Sequence, residues 1–370
     1  MKINILHIMQ SLEPGGLENG VINLVNSMDC NKFQVHIYCV KELGAFISRI
    51  NNPQTKVIAG KFSGNLWAVC RDIRKVCLKL NIDVVHTHGW GTFLVGVIGA
   101  KLARVKKVIN GEHGVLYDET FKRRIIQRIL FNWVDLNLTV CNDLKNEIVK
   151  RFNVSPSCFF SIINGVDTKQ FFKDELIGLK KREELNIDSD EFVVGTVGRL
   201  DPVKNYQTLI SAFAKLKKDT NNIRLLIVGE GKDRKNLEQV SEKLKIRNRV
   251  IMLGMRDDIS ELLNAMDIFV LPSKSEGLSN TILEAMACGI PVFASDVGGN
   301  PEIVNHGYTG ILFPFGDDVT LCNNLLNFYQ NKALKKSFAD NAVSVVHQEL
   351  SLEKMIKNYE NMYLNLLGEN

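Results

Sequence analysis

The chain has 370 residues, about two to three times the usual length of one domain, so two domains are expected. Apolar residues make up 45% and charged residues 24%, with 27 glycines against 8 prolines, which excludes a disordered, low-complexity or collagen-like chain. The net charge is +5, but residues 1–180 carry 24 basic and 15 acidic side chains, and the remainder carries 22 and 26. This difference suggests an anionic partner for the first half, but an uneven distribution of charge between the halves of a chain is also common without one.

The first half alternates strand-like and helix-like segments. In chain order these are a strand INILHIM, a helix GLENGVINLVNSM, a strand FQVHIYCV, a helix LWAVCRDIRKVCLKL and a strand IDVVHTH. Near-continuous apolar strands separated by amphipathic helices predict a parallel sheet covered on both faces. Polar residues within the first ten positions favour a buried strand over a secretion signal there.

The same alternation restarts at Glu191 and predicts a second domain of the same class. Its strands are EFVVGTVGRL, IRLLIVGEG, RVIMLG, DIFVLP and PVFASDVGG, and its helices include YQTLISAFAKLKK, ISELLNAM and TILEAMACG. Both halves therefore predict doubly wound, Rossmann-like α/β domains with parallel sheets. If the two sheets face each other, the inter-domain cleft is the expected ligand site, because ligands bind beyond the carboxyl ends of parallel strands.

The predicted domain limits follow the places where strand signals lapse. We place an N-terminal domain at 1–166, a linker at 167–190, a C-terminal domain at 191–350 and a last helix at 351–370, which can pack on either domain, including back on the first. The longest apolar run, 93–100, has 8 residues against the roughly 20 that cross a bilayer, so no transmembrane helix is expected. The 8 cysteines contain no C-x-x-C pair, which is typical of a cytoplasmic protein with cysteines in its core.

Glycines and cations follow the first strand of each domain. Gly15 and Gly16 lie in SLEPGGLENG, where the backbone can approach a ligand and the next helix can offer N–H groups to an anion. A phosphate cradle and an ordinary strand-to-helix turn both fit, and the pattern is not the dinucleotide fingerprint G-x-G-x-x-G. In the second domain the strand ends at Gly198 and places Arg199 and Lys204 in the following loop. Two cations there suit a phosphate, although surface cations are common.

The segment PSKSEGLSNTILEAMACGIPVFASDVGG begins where strand DIFVLP ends and enters a helix near Asn280. Its two carboxylates, Glu276 in the loop and Glu284 in the helix, lie about 12 Å apart if the whole stretch is helical, which is too far for a glycosidase pair. They are placed to hold two parts of one long ligand, beside loop N–H groups from Gly277 to Asn280 at the positive end of the helix dipole. The alternative is that Glu284 is an ordinary charge on the helix surface.

Taken together, these segments resemble the retaining glycosyltransferases of family 4, which have the GT-B fold of two facing Rossmann-like domains. The resemblance covers nearly the whole chain: GGLE in the first loop, INGVD at the linker, GRLDPVKN after the first strand of the second domain, and EGLSNTILE followed by EAMACGIPVFASDVGG. It implies a nucleotide-sugar donor in the second domain and an acceptor on the side of the first.

The resemblance also implies roles for single residues. Arg199 and Lys204 would bind the donor diphosphate, Glu284 the ribose hydroxyls and Glu276 the hydroxyls of the transferred sugar. With His113, which matches a histidine near the donor sugar, Arg199, Lys204 and Glu276 are the catalytic candidates. The remaining binding candidates are the phosphate-closing Gly15 and Gly16, the base-contacting Arg256, and the loop residues Gly198, Gly277, Leu278, Ser279 and Asn280.

The mechanism implied by the resemblance is metal-independent transfer with retention of anomeric configuration. Breaking the bond between sugar and diphosphate creates an oxocarbenium-like sugar and a dianionic leaving group. Fixed cations are most useful beside the leaving group, where they stabilise its developing negative charge. The acceptor hydroxyl attacks on the face of the leaving group and gives its proton to the departing phosphate, so no dedicated base is expected. No cofactor is expected beyond the co-substrate, a sugar linked to UDP or GDP.

Histidines offer a second kind of site. His86 and His88, in VVHTHG, have a spacing that suits a metal only if a third ligand converges, and a cleft-lining or hydrogen-bonded role is favoured. His113 ranks above both because of its motif. Asp257 and Asp258 are predicted to help begin the following helix, and no metal-binding D-x-D motif occurs. We therefore expect no metal site.

Residues Phe121–Phe131 form a basic amphipathic pattern that suits an anionic membrane surface. Basic and apolar side chains alternate along it, the first group being Lys122, Arg123, Arg124 and Arg128 and the second Phe121, Ile125, Ile126, Ile129 and Leu130. The alternative is an ordinary helix whose apolar stripe faces the core. Nucleic acid is not expected, because no reader motif accompanies the charge.

The sequence thus predicts a cytoplasmic glycosyltransferase, peripheral at the inner face of the membrane, that builds a lipid-linked glycan for a surface polysaccharide. Two alternatives stay open: a nucleotide-sugar epimerase of the same fold and a non-catalytic sugar-nucleotide-binding protein. The intact set of two cations and two carboxylates argues against the non-catalytic alternative, and the missing fingerprint disfavours a nicotinamide oxidoreductase.

Overall fold

The computed structural model of the protein describes residues 2–60, 64–114, 120–217, 220 and 222–369. The chain divides into two compact units. The first comprises Met1–Asn164 and Glu353–Asn370, and the second comprises Gly165–Leu352. Each unit is a Rossmann-like α/β domain built on one parallel sheet, as the alternation of strands and helices predicts.

The first unit has a seven-stranded sheet. Its strands are β1 (Ile3–Met9), β2 (Phe33–Cys39), β3 (Val57–Ala59), β4 (Val84–His88), β5 (Lys107–Glu112), β6 (Leu136–Thr139) and β7 (Phe159–Ser161). Its helices are α1 (Gly16–Ser27), α2 (Leu66–Lys79), α3 (Trp90–Ala103), α4 (Phe121–Trp133) and α5 (Asn142–Phe152). The strand order is β3-β2-β1-β4-β5-β6-β7, and every pair is parallel.

The second unit has a six-stranded sheet. Its strands are β8 (Phe192–Val197), β9 (Ile223–Val228), β10 (Val250–Gly254), β11 (Ile268–Leu271), β12 (Val292–Ser295) and β13 (Gly310–Phe313). Its helices are α6 (Glu175–Glu184), α7 (Tyr206–Leu216), α8 (Arg234–Lys243), α9 (Ile259–Asn264), α10 (Asn280–Ala287), α11 (Asn300–Ile303), α12 (Asp318–Gln330) and α13 (Lys332–Val345). The order is β10-β9-β8-β11-β12-β13, all parallel.

The last helix, α14 (Leu352–Leu367), starts at the end of the second unit, and its residues from Glu353 onward belong to the first. There the backbone N–H of Asp29 donates to Oε1 of Glu360 at 2.7 Å. The hydroxyl of Tyr363 lies 2.8 Å from Nδ1 of His86 on β4. The C-terminal segment therefore covers part of the first sheet.

Helices cover both faces of each sheet, so the central strands are buried almost throughout, whereas the edge strands β3, β7, β10 and β13 are only partly buried. All residues of β4 and β8 are buried. The apolar run 93–100 lies in α3, and most of the run is buried because the helix packs on α2 and on the sheet. Among the described residues, no helix combines the length and apolarity that a membrane crossing requires.

In both sheets the strand order reverses beside the first strand, between β1 and β4 in one unit and between β8 and β11 in the other. At such a switch point the loops leave the carboxyl ends of the two strands in opposite directions, which opens a crevice that ligands use. The loops after these four strands are therefore the places where each unit can build a site.

Two features differ from the sequence-based expectation. The structure divides the chain after Asn164. The predicted linker 167–190 contains α6, which the sequence analysis missed because its many charged side chains obscure the hydrophobic periodicity of a helix. Six cysteines are buried as expected, but Cys30 is exposed and Cys158 is partly exposed.

Candidate active site

The switch point of the second unit brings two loops together. One follows β8 and contains a short 3-10 turn, Pro202–Lys204, and the other follows β11. The backbone N–H of Lys274 donates to the carbonyl of Val203 at 2.8 Å, and the Asn205 side chain donates to the carbonyl of Pro272 at 3.3 Å. These bonds fix the two loops against each other.

Lys204 and Glu276, predicted on separate motifs, are joined directly in this crevice. The Lys204 ammonium donates to Oε1 of Glu276 at 2.7 Å, and the Ser273 hydroxyl donates to the same oxygen at 2.5 Å. The side chains of Lys204 and Glu276 are only 19% and 9% exposed. Because charge-assisted bonds in a shielded site are strong, the pair holds the ammonium in a defined position.

Arg199 lies between Gly198 and the 3-10 turn, and its side chain is exposed. Within the described residues its guanidinium forms no ion pair, whereas Lys204 is paired. The loop after β8 thus carries one cation held in an ion pair, Lys204, and one, Arg199, that has no ion pair within the described residues. The free guanidinium of Arg199 suits bidentate binding of a phosphate.

A third loop, which the sequence analysis did not assign to the site, supports the Glu276 segment. Gly298 has φ +56°, and a side chain there would collide with the Glu276 carbonyl. The N–H of Gly299 donates to the carbonyl of Gly277 at 2.9 Å. The glycine pair in SDVGG is the signal that could have identified this support, since close backbone approach requires glycine.

Helix α10 begins as predicted, at Asn280. Gly277, Leu278 and Ser279 are buried in the preceding loop, and Ser279 occupies the N-cap position. Its hydroxyl does not cap the helix but lies 3.0 Å from the hydroxyl of Thr281. The positive end of the helix dipole therefore lies beside the Glu276 loop.

Glu284 lies in the second turn of α10. Burial raises the pKa of its carboxyl to about 8, because the charged form loses hydration. Within the described part of the chain the carboxyl forms no hydrogen bond or ion pair. Glu284 is partly exposed, and its raised pKa disfavours the alternative of an ordinary surface charge. Its carboxyl can bind polar groups of a ligand.

Arg256 lies elsewhere in the second unit, in the loop between β10 and α9. Its guanidinium binds both oxygens of Asp258, at 2.7 and 2.5 Å, and reaches Glu184 on α6 at 3.3 Å. The buried ammonium of Lys181 binds Asp258 as well, at 2.7 Å. Asp258 occupies the N-cap position of α9, in keeping with its predicted place at the start of that helix, but the two cations hold its side chain and it makes no capping bond. Contact of Arg256 with a base stays a prediction.

In the first unit, Gly15 and Gly16 lie at the start of α1 as predicted, with Gly15 as the N-cap residue. The Glu18 carboxylate occupies the space that a side chain on Gly15 would take. Burial raises the pKa of this carboxyl. An anion at this helix start would therefore displace the Glu18 side chain first.

His113 lies directly after β5, and it lines one small pocket together with Gly16, His88 and Asn164. The volume of this pocket is about 20 Å³, room for about one water molecule. Nε2 of His113 lies 2.9 Å from Nδ1 of His88. The structure thus brings the predicted His113 and Gly16 to the same pocket at the carboxyl edge of the first sheet.

His86 and His88 meet a third histidine that the sequence analysis did not consider. Ring nitrogens of His7, His86 and His88 lie within 4.8 Å of one another, a cluster that could hold a metal ion. Parallel pairing places His7 beside His86, a relationship that only the sheet register reveals. Both ring nitrogens of His88 already form hydrogen bonds, to His7 and to His113. A hydrogen-bonded role is therefore the one that the geometry favours.

Comparison with known proteins defines the family. The family models for glycosyl transferases group 1 and for glycosyltransferase family 4 match residues 179–345 and 14–170. An uncharacterised glycosyltransferase of Methanocaldococcus jannaschii is 30% identical over 76% of this chain and 75% of its own. The chain belongs to glycosyltransferase family 4.

Further similarities extend over the full length of this glycosyltransferase. A galactosyltransferase of Escherichia coli, named UDP-Gal:alpha-D-GlcNAc-diphosphoundecaprenol alpha-1,3-galactosyltransferase, is 26% identical over 99% of this chain and 98% of its own. The solved structure of Anabaena HepE in complex with UDP superposes with a TM-score of 0.86 at 24% identity, covering 99% and 100% of the two chains. The fold is GT-B, as the sequence resemblance implies.

Proposed function

We propose that this glycosyltransferase moves a sugar from a UDP-linked donor to a lipid-linked glycan acceptor, with retention of anomeric configuration and without a metal ion. The observation that carries the proposal is the pairing of Lys204 with Glu276 at the switch point of the second unit, with Arg199 on the same loop. The names of the relatives support UDP as the nucleotide and a diphospholipid as the carrier of the acceptor.

The reaction separates the anomeric carbon of the sugar from the β-phosphate oxygen and leaves a nucleoside diphosphate. Cations fixed at that oxygen stabilise the developing charge, and in this chain Lys204 is fixed by Glu276 while Arg199 is available for the second phosphate. We assign Glu284, the partly buried carboxyl on α10, to the ribose and Glu276 to the transferred sugar.

In the same step the acceptor oxygen bonds to the anomeric carbon on the face that the diphosphate leaves, and its proton passes to the departing phosphate oxygen. This route needs no separate base, and it preserves the configuration of the sugar. The alpha-1,3 linkage in the name of the E. coli relative is the product that retention gives from an alpha-linked donor.

The donor is tested by thermal shift against UDP-, GDP-, ADP- and dTDP-sugars. A ligand at about 100 times its Kd adds roughly 2.7 kcal/mol to stability, so a UDP-sugar should raise Tm clearly and the others should not. Incubation of that donor with an undecaprenyl diphosphosugar acceptor, followed by NMR of the anomeric proton of the product, tests transfer and retention.

Three outcomes would contradict the proposal. Conversion of the donor to its epimer without acceptor would identify an epimerase. Binding of the donor with neither transfer nor hydrolysis would identify a non-catalytic binding protein. Loss of transfer in EDTA, restored by a divalent cation, would exclude the metal-independent mechanism.

We further propose that helix α4 brings the enzyme to an anionic membrane, as a peripheral protein on the cytoplasmic side. The buried residues of α4 are Gln127, Leu130 and Phe131. The sequence could not decide which face of α4 is buried, and in the structure most of its large apolar side chains are exposed: Phe121 by 78%, Ile129 by 58%, Trp133 by 51%, Ile125 by 45% and Ile126 by 37%. An apolar stripe left outside the core supports insertion into the headgroup region of a bilayer.

The exposed cations of α4 indicate that the membrane surface it binds is anionic. Lys122 and Arg128 are exposed on the same helix, and within the described residues neither forms an ion pair. Arg123 stacks over the ring of Trp90 at 4.7 Å, and Arg124 donates to the carbonyl of Arg151. These two side chains already have partners in the protein and are less available to lipid headgroups. An apolar stripe flanked by uncompensated cations fits a lipid surface rich in anionic headgroups.

A further inference from the structure

Three histidines form a hydrogen-bonded chain at the switch point of the first sheet. Nδ1 of His7 on β1 lies 2.8 Å from Nε2 of His88 at the end of β4. Nδ1 of His88 lies 2.9 Å from Nε2 of His113, just after β5. Both nitrogens of the central ring are therefore used, and each terminal ring has one nitrogen left over, Nε2 of His7 and Nδ1 of His113.

All three rings are neutral at physiological pH. Burial lowers the pKa of His7 to about 3 and that of His113 to about 4, and it lowers the pKa of His88 as well. A neutral imidazole carries one N–H and one bare nitrogen. Two neighbouring bonds between neutral rings must therefore run in the same direction along the chain.

Only two proton arrangements satisfy this condition. In the first, His7 donates from Nδ1 to His88, His88 donates from Nδ1 to His113, and His113 carries its proton on Nδ1. In the second, both bonds reverse, His113 carries its proton on Nε2, and His7 carries its proton on Nε2. The two arrangements differ in what stands at the buried end of the chain.

The buried end decides between them. Nε2 of His7 is fully buried and has no hydrogen-bond partner among the described residues. An unpaired buried N–H is rarer in proteins than an unpaired buried acceptor, because the donor loses its only partner. The first arrangement leaves a bare nitrogen there, whereas the second leaves an N–H, so the first is favoured.

The surrounding backbone is shaped to hold this chain. Gly111 on β5 pairs with His88 in the sheet, and an added Cβ would lie 2.8 Å from Nε2 of His113 and 3.0 Å from Nε2 of His86. The ring of His86 stacks on that of His88 with centroids 4.3 Å apart. Because residue 111 is a glycine, no Cβ occupies the space that the rings of His113 and His86 need. The stacked ring of His86 limits rotation of the His88 ring.

We propose that His7 and His88 are positioning residues that fix His113 as the Nδ1–H tautomer, so that His113 presents a hydrogen-bond donor, and not a base, to an oxygen of the sugar donor. This inference rests on the proposed function, because the substrate oxygen is that of a nucleotide sugar. Within the described residues Nδ1 of His113 forms no hydrogen bond, and His113 lines the pocket that Gly16 shares. A neutral N–H suits a phosphate oxygen, which only accepts, better than a bare nitrogen does, and it can also donate to a sugar hydroxyl.

The tautomers are read directly from the resting enzyme. In 15N-histidine-labelled protein at pH 7.5, long-range 15N–1H spectra should show His7, His88 and His113 each protonated on Nδ1 and bare on Nε2, with His113 assigned by its loss in His113→Gln. A proton on Nε2 of His113, or a charged ring, would overturn the inference. This measurement needs no substrate, and so it is independent of the proposed function.

The positioning role is tested by two variants of similar shape at the centre of the chain. In His88→Asn the amide can still donate to His113, so the Nδ1–H tautomer should remain and kcat should stay within about threefold of wild type. In His88→Leu no donor remains, so His113 should show mixed tautomers. Because part of the His113 population still donates, kcat should fall by about 10- to 100-fold, less than the roughly 100- to 1,000-fold for removing an oriented donor outright.

Other outcomes contradict the inference in distinct ways. Equal kcat in the two variants would remove the positioning role while leaving the proposed function intact. Turnover of no nucleotide sugar by the wild type, with the expected tautomers present, would remove the proposed function and the substrate contact but not the proton arrangement. Zinc that copurifies with the enzyme and shifts the His7 and His88 signals on removal would show a metal site in place of the chain.

Discussion

The ammonium of Lys204 lies 2.7 Å from Oε1 of Glu276, a residue 72 positions further along the chain. The bond joins the loop after β8 to the loop after β11, the two strands between which the sheet order reverses. A cation held in this way has already lost the side-chain entropy that binding a phosphate would otherwise remove, so it is preorganised for a leaving group.

Removing that cation should slow the chemical step. For Lys204→Ala we expect kcat at saturating donor to fall by about 30- to 900-fold, which corresponds to about 2–4 kcal/mol of lost transition-state stabilisation. The matched control is Lys243→Ala, an exposed lysine on α8. Steady-state kinetics checks the result, and an unchanged kcat in Lys204→Ala would remove Lys204 from the mechanism.

The raised pKa of the Glu284 carboxyl should make stability fall with rising pH. Burial raises its pKa from 4.5 to about 8, so between these values the native state keeps a proton that the unfolded state releases. The free energy of unfolding should then fall by up to about 1.4 kcal/mol per pH unit from pH 5 to 8 through this group. Glu284→Gln should remove that contribution, so its stability relative to wild type should grow with pH.

Urea unfolding at pH 6, 7 and 8 measures this difference, with Glu242→Gln on the exposed side of α8 as the control. A constant difference between Glu284→Gln and wild type across the three pH values would mean that Glu284 is ionised in the native state at all of them.

Membrane binding should depend on α4 through both charge and apolar area. Neutralising Lys122 and Arg128 together should weaken binding to vesicles with anionic lipid by about 30-fold, at about 1 kcal/mol per charge. Replacing Phe121 and Ile129 by Ser should weaken binding to the same vesicles by a similar or larger factor. Cosedimentation at low salt measures both.

The matched control for charge is Lys235→Gln with Lys243→Gln on α8, which carries two exposed lysines in the second unit. If this control weakens binding as much as the α4 variant does, attraction depends on total charge and α4 is not the contact.

The ion network around Lys181 should contribute strongly to stability. Its ammonium binds Glu184, Asp258 and Glu261 at 2.6, 2.7 and 2.8 Å and is almost fully buried. Lys181→Met leaves these carboxylates without that cation, but Glu184 and Glu261 are 51% and 48% exposed, so we expect a loss of about 1–2 kcal/mol, below the roughly 3–5 kcal/mol for breaking a fully buried pair. Denaturant unfolding checks this, and the exposed neighbour Lys180→Met should change stability by less than about 0.5 kcal/mol.

Much of the fold could be predicted because both sheets are parallel and buried on two faces, which gives long apolar strands between helices. The strands that the sequence did not reveal, such as β3, β7 and β13, have three or four residues, of which at most two are buried, so they lack the apolar run that marks a strand. Helix α6 was hidden because charged residues dominate it, and one of them, Lys181, is buried through ion pairs that no hydrophobic pattern encodes.

The site was predictable where motifs place residues on loops after strands, as for Lys204 and Glu276. The site was not predictable where a contact depends on the register between paired strands, or where another side chain of the protein occupies the place expected for a ligand. His7 meets His86 only because β1 and β4 pair in parallel, and the Glu18 carboxylate takes the place at the start of α1 where an anion was expected. The partial burial of Glu284 likewise follows from packing around α10 and not from its spacing to Glu276.

The place of the C-terminal segment has a consequence for synthesis on the ribosome. Residues up to Asn164 emerge first, but Glu360 and Tyr363, which bond to Asp29 and His86, follow only after the whole stretch Gly165–Leu352 has been translated. At about 5–20 residues per second this interval lasts roughly 10–40 s. During it the nascent first domain exposes the apolar surface that the final helix later covers, so a chaperone that shields this surface should raise the yield of native enzyme.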